Sequence, residues 1–193
     1  MTTEAFPPSV RPNPAGDRPR VDSSAYVDPS AQVIGRVVIG PRVFVGPQAV
    51  LRADEPDAGG RVHPITVGED ACIQDGVVVH ARAGTEVRIG PRCNISHGVV
   101  IHGPAVIGAD SFIALRAIIY QAEVEEGVWV GVGSIVMGGR IPAHVWVPAG
   151  SLIRSETDTR SFRLIDLKEE RHKKDIYDAT AALREAYLRL RSG

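Results

Sequence analysis

Branched apolar residues recur every six positions through most of the chain: Val27, Val33, Ile39, Val45 and Leu51, then Val67, Ile73 and Val79, then Ile89, Ile95, Ile101, Ile107, Ile113 and Ile119. Two residues ahead of each stands another small or branched residue, such as Ala31, Val43, Ala71, Cys93 or Ala105, and glycine directly follows several of them. A period of six fits neither the 3.6 of a helix nor the alternation of a free amphipathic strand. It fits a parallel β-helix in which each hexapeptide forms one side of a triangular coil, so that three make a turn of about 18 residues. Each inward residue then stacks on its equivalent one coil away, about 4.8 Å along the axis.

Two breaks interrupt the register. Leu51 to Val67 spans 16 residues, read as two hexapeptides plus four, and Val79 to Ile89 spans 10, read as one hexapeptide plus four. Both predict loops extruded from the coil, the usual places for function on such a scaffold. Steps of 22 residues then stack Gly46, Gly68 and Gly90, a plain coil adds Gly108, and the same arithmetic stacks Arg52 on Gln74 and Ser96, and His80 on His102. After Ile119 the repeat continues with one-residue slips through Val124, Val130, Val136, Ile141, Val147 and Ile153. The polar segment RSETDTRS follows, and then a helix is predicted from about Leu164 to Leu190, with an apolar stripe of Ile176, Ala179, Leu183, Tyr187 and Leu190. The expected layout is an extended or flexible proline-rich arm over 1–20, a β-helix over 21–155, and a linker and helix over 156–193 that pack on the β-helix or on a neighbouring subunit.

The stacked His80 and His102 set two imidazoles about one strand spacing apart, near enough to meet one ion. His97 lies five residues ahead of His102, toward the preceding face, and diverges from the pair within its own chain. A catalytic zinc site takes about three protein ligands and keeps an open position. The diverging third histidine therefore points to a zinc or similar divalent site shared between subunits, His80 and His102 from one chain and His97 from the next, with a cyclic trimer as the smallest ring for a triangular prism. His63, His144 and His172 read as solvated histidines, Cys72 and Cys93 as inward-facing packing residues, and Trp129 and Trp146 as packing residues of the last coils.

Composition narrows the partners. Twenty-two basic against 23 acidic residues, a net charge of -1, gives the whole chain no pull toward nucleic acid or an anionic membrane. Two cysteines make no disulfide framework, and the N-terminus has no apolar signal core, so the chain reads as soluble and cytoplasmic with reduced thiols.

The stretches LRADE (51–55), IQDGVVVH (73–80) and NISHGVVIHGPAVIGADSFI (94–113) resemble the γ-class carbonic anhydrases and their relatives of uncertain activity, over about residues 22–155. The resemblance implies a left-handed β-helix, a homotrimer, and Zn2+ or Fe2+ at each subunit interface, held by the residues matching His80, His97 and His102. It implies an intersubunit ion pair between Arg52 and Asp54, and site residues matching Gln74, Asp75 and Glu55. The implied reaction is reversible hydration of CO2 to bicarbonate. Gln74 would orient hydroxide or bicarbonate, Glu55 would relay protons, and Asp75 and Asp54 would hold neighbouring donors; Arg52 and Asp54 read equally as residues that only join subunits.

Three departures bear on turnover. The loop after His80, ARAGTEVR, is short, with Glu86 as its one glutamate, where active members carry a longer acidic loop. In the C-terminal helix Thr180 stands where an active-site asparagine is expected, and Asp178 where a tyrosine often occurs, with Tyr177 one residue off. Competing functions are a hexapeptide-repeat acyltransferase, a metal-stabilised structural or pathway module without catalysis, and a metallo-hydrolase or lyase acting on another small substrate.

Overall fold

Strands of two to four residues cannot stand alone, and here each pairs with a strand one coil away, never with its neighbour in sequence. The computed structural model describes residues 9–192. Among them the chain winds as a left-handed parallel β-helix with three flat faces. Face 1 has eight strands, from Val10–Arg11 to Leu152–Arg154; face 2 has seven, from Arg20–Val21 to Arg140–Ile141; face 3 has seven, from Tyr26–Val27 to Trp146–Val147. A 3-10 turn, Thr159–Ser161, leads to one long helix, α1, Leu167–Ser192.

The six-residue period becomes three internal ladders. Along face 1, Leu51, Val79, Ile101, Ile119, Val136 and Ile153 stand in register, all buried. Burying each such side chain contributes about 1.5–3 kcal/mol, and the branched Cβ suits a pleated surface packed on both sides. Between the faces the chain turns sharply, through left-handed backbone at Arg42, Asp70, Arg92, Asp110 and His144. Charge pairs across coils brace these corners: Arg42 on Asp70 and Arg92 on Asp110, each bidentate. Where coils approach most closely only glycine fits. A Cβ on Gly108 would lie 2.4 Å from the Glu126 nitrogen.

Four details differ from the sequence reading. The coil through the first loop is 28 residues long, because Arg52 pairs in register with His80, not with Gln74. The 16-residue gap is one side plus ten residues, and the ten close on themselves: Pro56 bridges Val62, and Asp57 accepts the amides of Gly59 and Arg61. The Arg61 amide, then His63 and the other donors around it, hold the Asp57 carboxyl down at about 2. In consequence Gly40, and not Gly46, heads the column of Gly68, Gly90 and Gly108. Cys93 lies in the interior, but Cys72 points outward on face 3 and is buried only because α1 covers it.

The helix docks through a stripe that shares Ile176 and Tyr187 with the apolar one but is otherwise turned toward polar positions. Tyr187 stacks on Tyr26, the Arg184 guanidinium donates to the Arg42 carbonyl at 2.6 Å, Thr180 meets Gln74, and His172 packs against Phe112 and Trp129. The outward column of face 3, Tyr26, Phe44, Cys72, Asn94, Phe112 and Trp129, mixes rings with polar groups. A face of α1 with the same mixture fits it, and Leu183 and Leu190 remain exposed. The proline-rich segment contributes Val10–Arg11 to face 1 by pairing with Val33 and Ile34; residues 1–8 of the arm lie outside the described residues.

Two outcomes test this packing. Ile113→Ala should cost about 2–5 kcal/mol in urea unfolding, since its ladder cannot collapse around the lost volume, and Gly108→Ala should lower the melting temperature by forcing adjacent coils apart. Burial pushes the Cys72 thiol up to about 11 and Cys93 up to about 12. The folded chain's preference for the thiol form is fully present below the ordinary thiol range and is lost as pH rises through those values. At pH 8.5 neither cysteine should react with a disulfide reagent until the protein is unfolded.

Candidate metal centre

Face 1 ends, at its edge with face 2, in an outward column of Arg52, His80, His102, Tyr120 and Met137. The parallel register alone sets these side chains one above another. His80 Nδ1 lies 3.2 Å from His102 Nε2, with the rings at 71°. Two nitrogens bound to one tetrahedral ion at about 2.0–2.1 Å would stand about 3.3 Å apart, so the pair has the spacing of two ligands.

Which nitrogens carry lone pairs follows from the outer partners. His102 Nδ1 is 3.2 Å from the Gly103 carbonyl, and a proton there donates to it and leaves Nε2 as an acceptor. His80 Nε2 faces two groups with opposite demands: the Glu55 carboxylate at 3.1 Å, which takes an N–H, and the Arg52 guanidinium at 3.0 Å, which can only donate. With the proton on Nε2 toward Glu55, Nδ1 is free beside His102 Nε2 and the two lone pairs call for a cation. With Arg52 donating to Nε2 the proton sits on Nδ1 and satisfies His102 Nε2 instead. Burial first, and then the Arg52 charge, lower the His80 pKa and favour the neutral imidazole that a metal needs. The Tyr120 ring stacks on the far side of His102 at 5.3 Å.

The other predicted residues gather at the opposite edge of face 1, where the chain enters it from face 3. His97 Nδ1 stands 3.5 Å from the Asp75 carboxylate, and the Gln74 amide donates to the Thr180 hydroxyl at 3.3 Å. A proton on Nδ1 toward Asp75 would leave the lone pair on His97 Nε2. His97 and Gly98 form the corner turn that leads into face 1, and the strand Val100–His102 crosses the face, so His97 and His102 stand at its opposite edges. Among the described residues no group of three metal-ligating side chains forms within the chain. The structure thus brings Arg52, Asp54, Glu55, His80 and His102 together at one edge and Gln74, Asp75 and His97 at the other. Glu55 does not meet Gln74 or Asp75 inside one chain.

Arg52 and Asp54 touch weakly, at 3.4 Å, and Asp54 Oδ1 is buried with no hydrogen-bond partner among the described residues. Glu55 also accepts the Ala83 amide at 3.1 Å, so the two extruded loops clasp each other beside His80. Of the residues at the departures, Thr180 is buried against Gln74, whereas Asp178 pairs with Lys174, Tyr177 bonds Asp70 and the Glu86 carboxylate pairs with Arg88. Sequence reasoning missed Tyr120 and the buried pair Asn94 and Ser96. One plain 18-residue step from His102 finds the first; the second needs the helix that buries it.

No protein-family model matches the sequence. The chain is 36% identical over 149 residues to a carbonic anhydrase of Methanosarcina thermophila, covering 67% of this chain and 58% of that protein. It is 29% identical over 179 residues to the carboxysome assembly protein CcmM of a Nostoc species, covering 88% of this chain and 31% of that one. It is 35% identical over 124 residues to the carnitine operon protein CaiE of Escherichia coli K12, covering 63% and 59%. The chain therefore spans less than two thirds of the length of these relatives. Among solved structures, a hexapeptide transferase family protein from Anaplasma phagocytophilum superposes with a TM-score of 0.74 at 29% identity, covering 93% of this chain and 98% of that one. The repeat, the fold and these relatives together place the chain among the γ-carbonic anhydrase-like hexapeptide-repeat proteins, a family whose members are named for catalysis, for assembly and for an operon.

Proposed function

We propose that the chain forms a cyclic trimer with one divalent ion, Zn2+ or Fe2+, at each interface, and that this site reversibly hydrates CO2 to bicarbonate. One observation carries the reading: two ligand nitrogens 3.2 Å apart stand at one edge of face 1, and a third histidine oriented by a carboxylate stands at the other. Between the edges runs an outward column of Val50, Val78, Val100, Ile118, Ile135 and Leu152, an apolar surface suited to burial against a second copy. A copy rotated about a three-fold axis beside face 1 brings its His97 edge toward this chain's His80 edge. The 36% identity to a carbonic anhydrase supports the reaction class.

An ion held by His80 and His102 of one chain and His97 of the next would supply Lewis acidity and, through it, hydroxide near neutral pH. The chain's own groups do the rest. The Gly103 carbonyl, Glu55 and Asp75 hold the three imidazoles in their ligating tautomers. Glu55, half-exposed on a loop, passes protons from the site to solvent, and the Gln74 amide orients the product bicarbonate. Arg52 turns from His80 toward a neighbour's carboxylate when the trimer closes, and a neighbour's donor completes the Asp54 oxygen left bare within one chain. A second reading, a metal-binding trimer with weak turnover, is favoured by Thr180 in the expected asparagine's place and by Glu86, which engages Arg88 instead of the site.

Three outcomes test the proposal. Anaerobically purified protein should sediment as a trimer with one metal per chain, and His97→Ala and His102→Ala should each lose at least tenfold in metal affinity. Refolded as an equal mixture, the two variants should regain roughly one site in four, because every mixed ring of three holds one intact interface; no recovery would mean that each site is built inside one chain. Glu55→Gln should lower CO2 hydration in stopped flow by about 10²-fold or more while metal content holds, and metal-loaded trimers with no hydration in wild type would establish the second reading.

A further inference from the structure

A hollow of about 390 Å³ beside α1 is lined by charges that already neutralise each other, Arg92 with Asp110 and Lys173 with Glu170. A second, of about 270 Å³ beside His97, has no lysine or arginine in its lining, and Asn94 Nδ2, which lacks a hydrogen-bond partner, is buried out of a ligand's reach. Neither selects a ligand. The outward column of face 1 carries more.

Its two histidines are held unequally. His80 has the Glu55 carboxylate at 3.1 Å and the Arg52 guanidinium at 3.0 Å on Nε2, and its side chain is 14% exposed. Beyond its contact with His80, His102 has one polar tether, the carbonyl of the adjacent Gly103 at 3.2 Å from Nδ1. One long contact to the next residue leaves an outward imidazole free to turn about its side-chain torsions. The Tyr120 ring closes that freedom. It lies across His102 with the centroids 5.3 Å apart and the planes at 30°, an offset stack. His80 meets the same imidazole edge-on, at 5.0 Å and 71°, so the ring is gripped from the coils on both sides.

The coil in turn places Tyr120. It stands in register between His102 and Met137, its carbonyl accepts the Gly138 amide at 2.9 Å, and the Gln121 amide donates to the His102 carbonyl at 3.0 Å. Tyrosine and histidine backbones are therefore fixed against each other. No hydrogen bond to the phenol forms among the described residues, which leaves the ring as the part that acts.

We infer that Tyr120 is a positioning residue whose ring holds the His102 imidazole with Nε2 turned to His80 Nδ1. The inference deepens the proposed function and rests on it for the metal, whereas the hold on the imidazole belongs to the chain alone. A ligand fixed beforehand does not have to be ordered by the ion that binds it.

The test compares Tyr120→Phe, which keeps the ring, with Tyr120→Ile, which keeps a branched residue suited to the strand and removes the ring. In the metal-free full chain, NMR signals of the His102 ring protons are identified by their absence in His102→Ala. They should stand upfield in wild type and Tyr120→Phe, through the ring current of the stacked neighbour, and move downfield in Tyr120→Ile. Zinc affinity, read by competition with a chromophoric chelator, should fall about three- to tenfold in Tyr120→Ile and hold in Tyr120→Phe. His102 signals or zinc affinity in Tyr120→Ile equal to wild type, or a Tyr120→Phe chain that behaves as Tyr120→Ile does, overturns the inference. A wild-type chain that binds no zinc sinks the metal reading instead, and the metal-free ring signals still decide the hold on His102.

Discussion

Everything in this protein hangs on the stacking of one branched apolar side chain on its equivalent in the next coil, locked by parallel backbone hydrogen bonds. Each strand is too short to hold its own register, and register comes from the ladder: Leu51, Val79, Ile101 and Ile119 must coincide for their neighbours to bond. A slip of one residue would turn the interior column outward and present polar side chains to the core. The extruded loops are tolerated because they leave and re-enter the coil without shifting that phase. This is why a ten-residue excursion after Ala53 and a short one after His80 do not disturb the interior.

The same lock turns sequence spacing into site geometry. Residues that follow an interior position point outward and rise in columns one strand spacing apart, which is how imidazoles 22 residues apart come to lie with nitrogens at 3.2 Å. It equally forbids His97 from joining them, because His97 sits in the turn that enters face 1 and the strand Val100–His102 carries the chain to the other edge. A rigid prism cannot bend its two edges together, so any site using all three histidines needs a second prism. The loops then add what the coil cannot supply: Glu55 reaches His80 from one loop while bonding the Ala83 amide of the other.

The helix acts on the third face in a different way. It converts outward positions of face 3 into buried ones, covering Cys72 and Asn94 and setting Thr180 on Gln74. Its contacts are mostly rings and polar groups, so the fit is set by hydrogen bonds and stacking more than by an apolar stripe. Where the fit ends, beside His97, a hollow remains.

From the sequence alone came the coil, its three faces, the interior ladder and the stacking of His80 on His102, because a period of six has one compact solution and the four-residue insert between them is unambiguous. The divergence of His97 was legible for the same reason. Spacing could not tell two sides plus four from one side plus ten, so Arg52 was assigned to the wrong column until the hairpin closed by Pro56 and Val62 fixed the count. Periodicity found only part of the docking face of α1, Ile176 and Tyr187, since the apolar positions of a helix report its average preference for burial and not the particular mixture of rings and donors on the surface it meets. The opposed partners of His80 Nε2, the orphaned oxygen of Asp54 and the unfinished amide of Asn94 emerged only in three dimensions. They depend on which groups from distant coils, loops and helix arrive within hydrogen-bond reach, and no pattern along a chain records that.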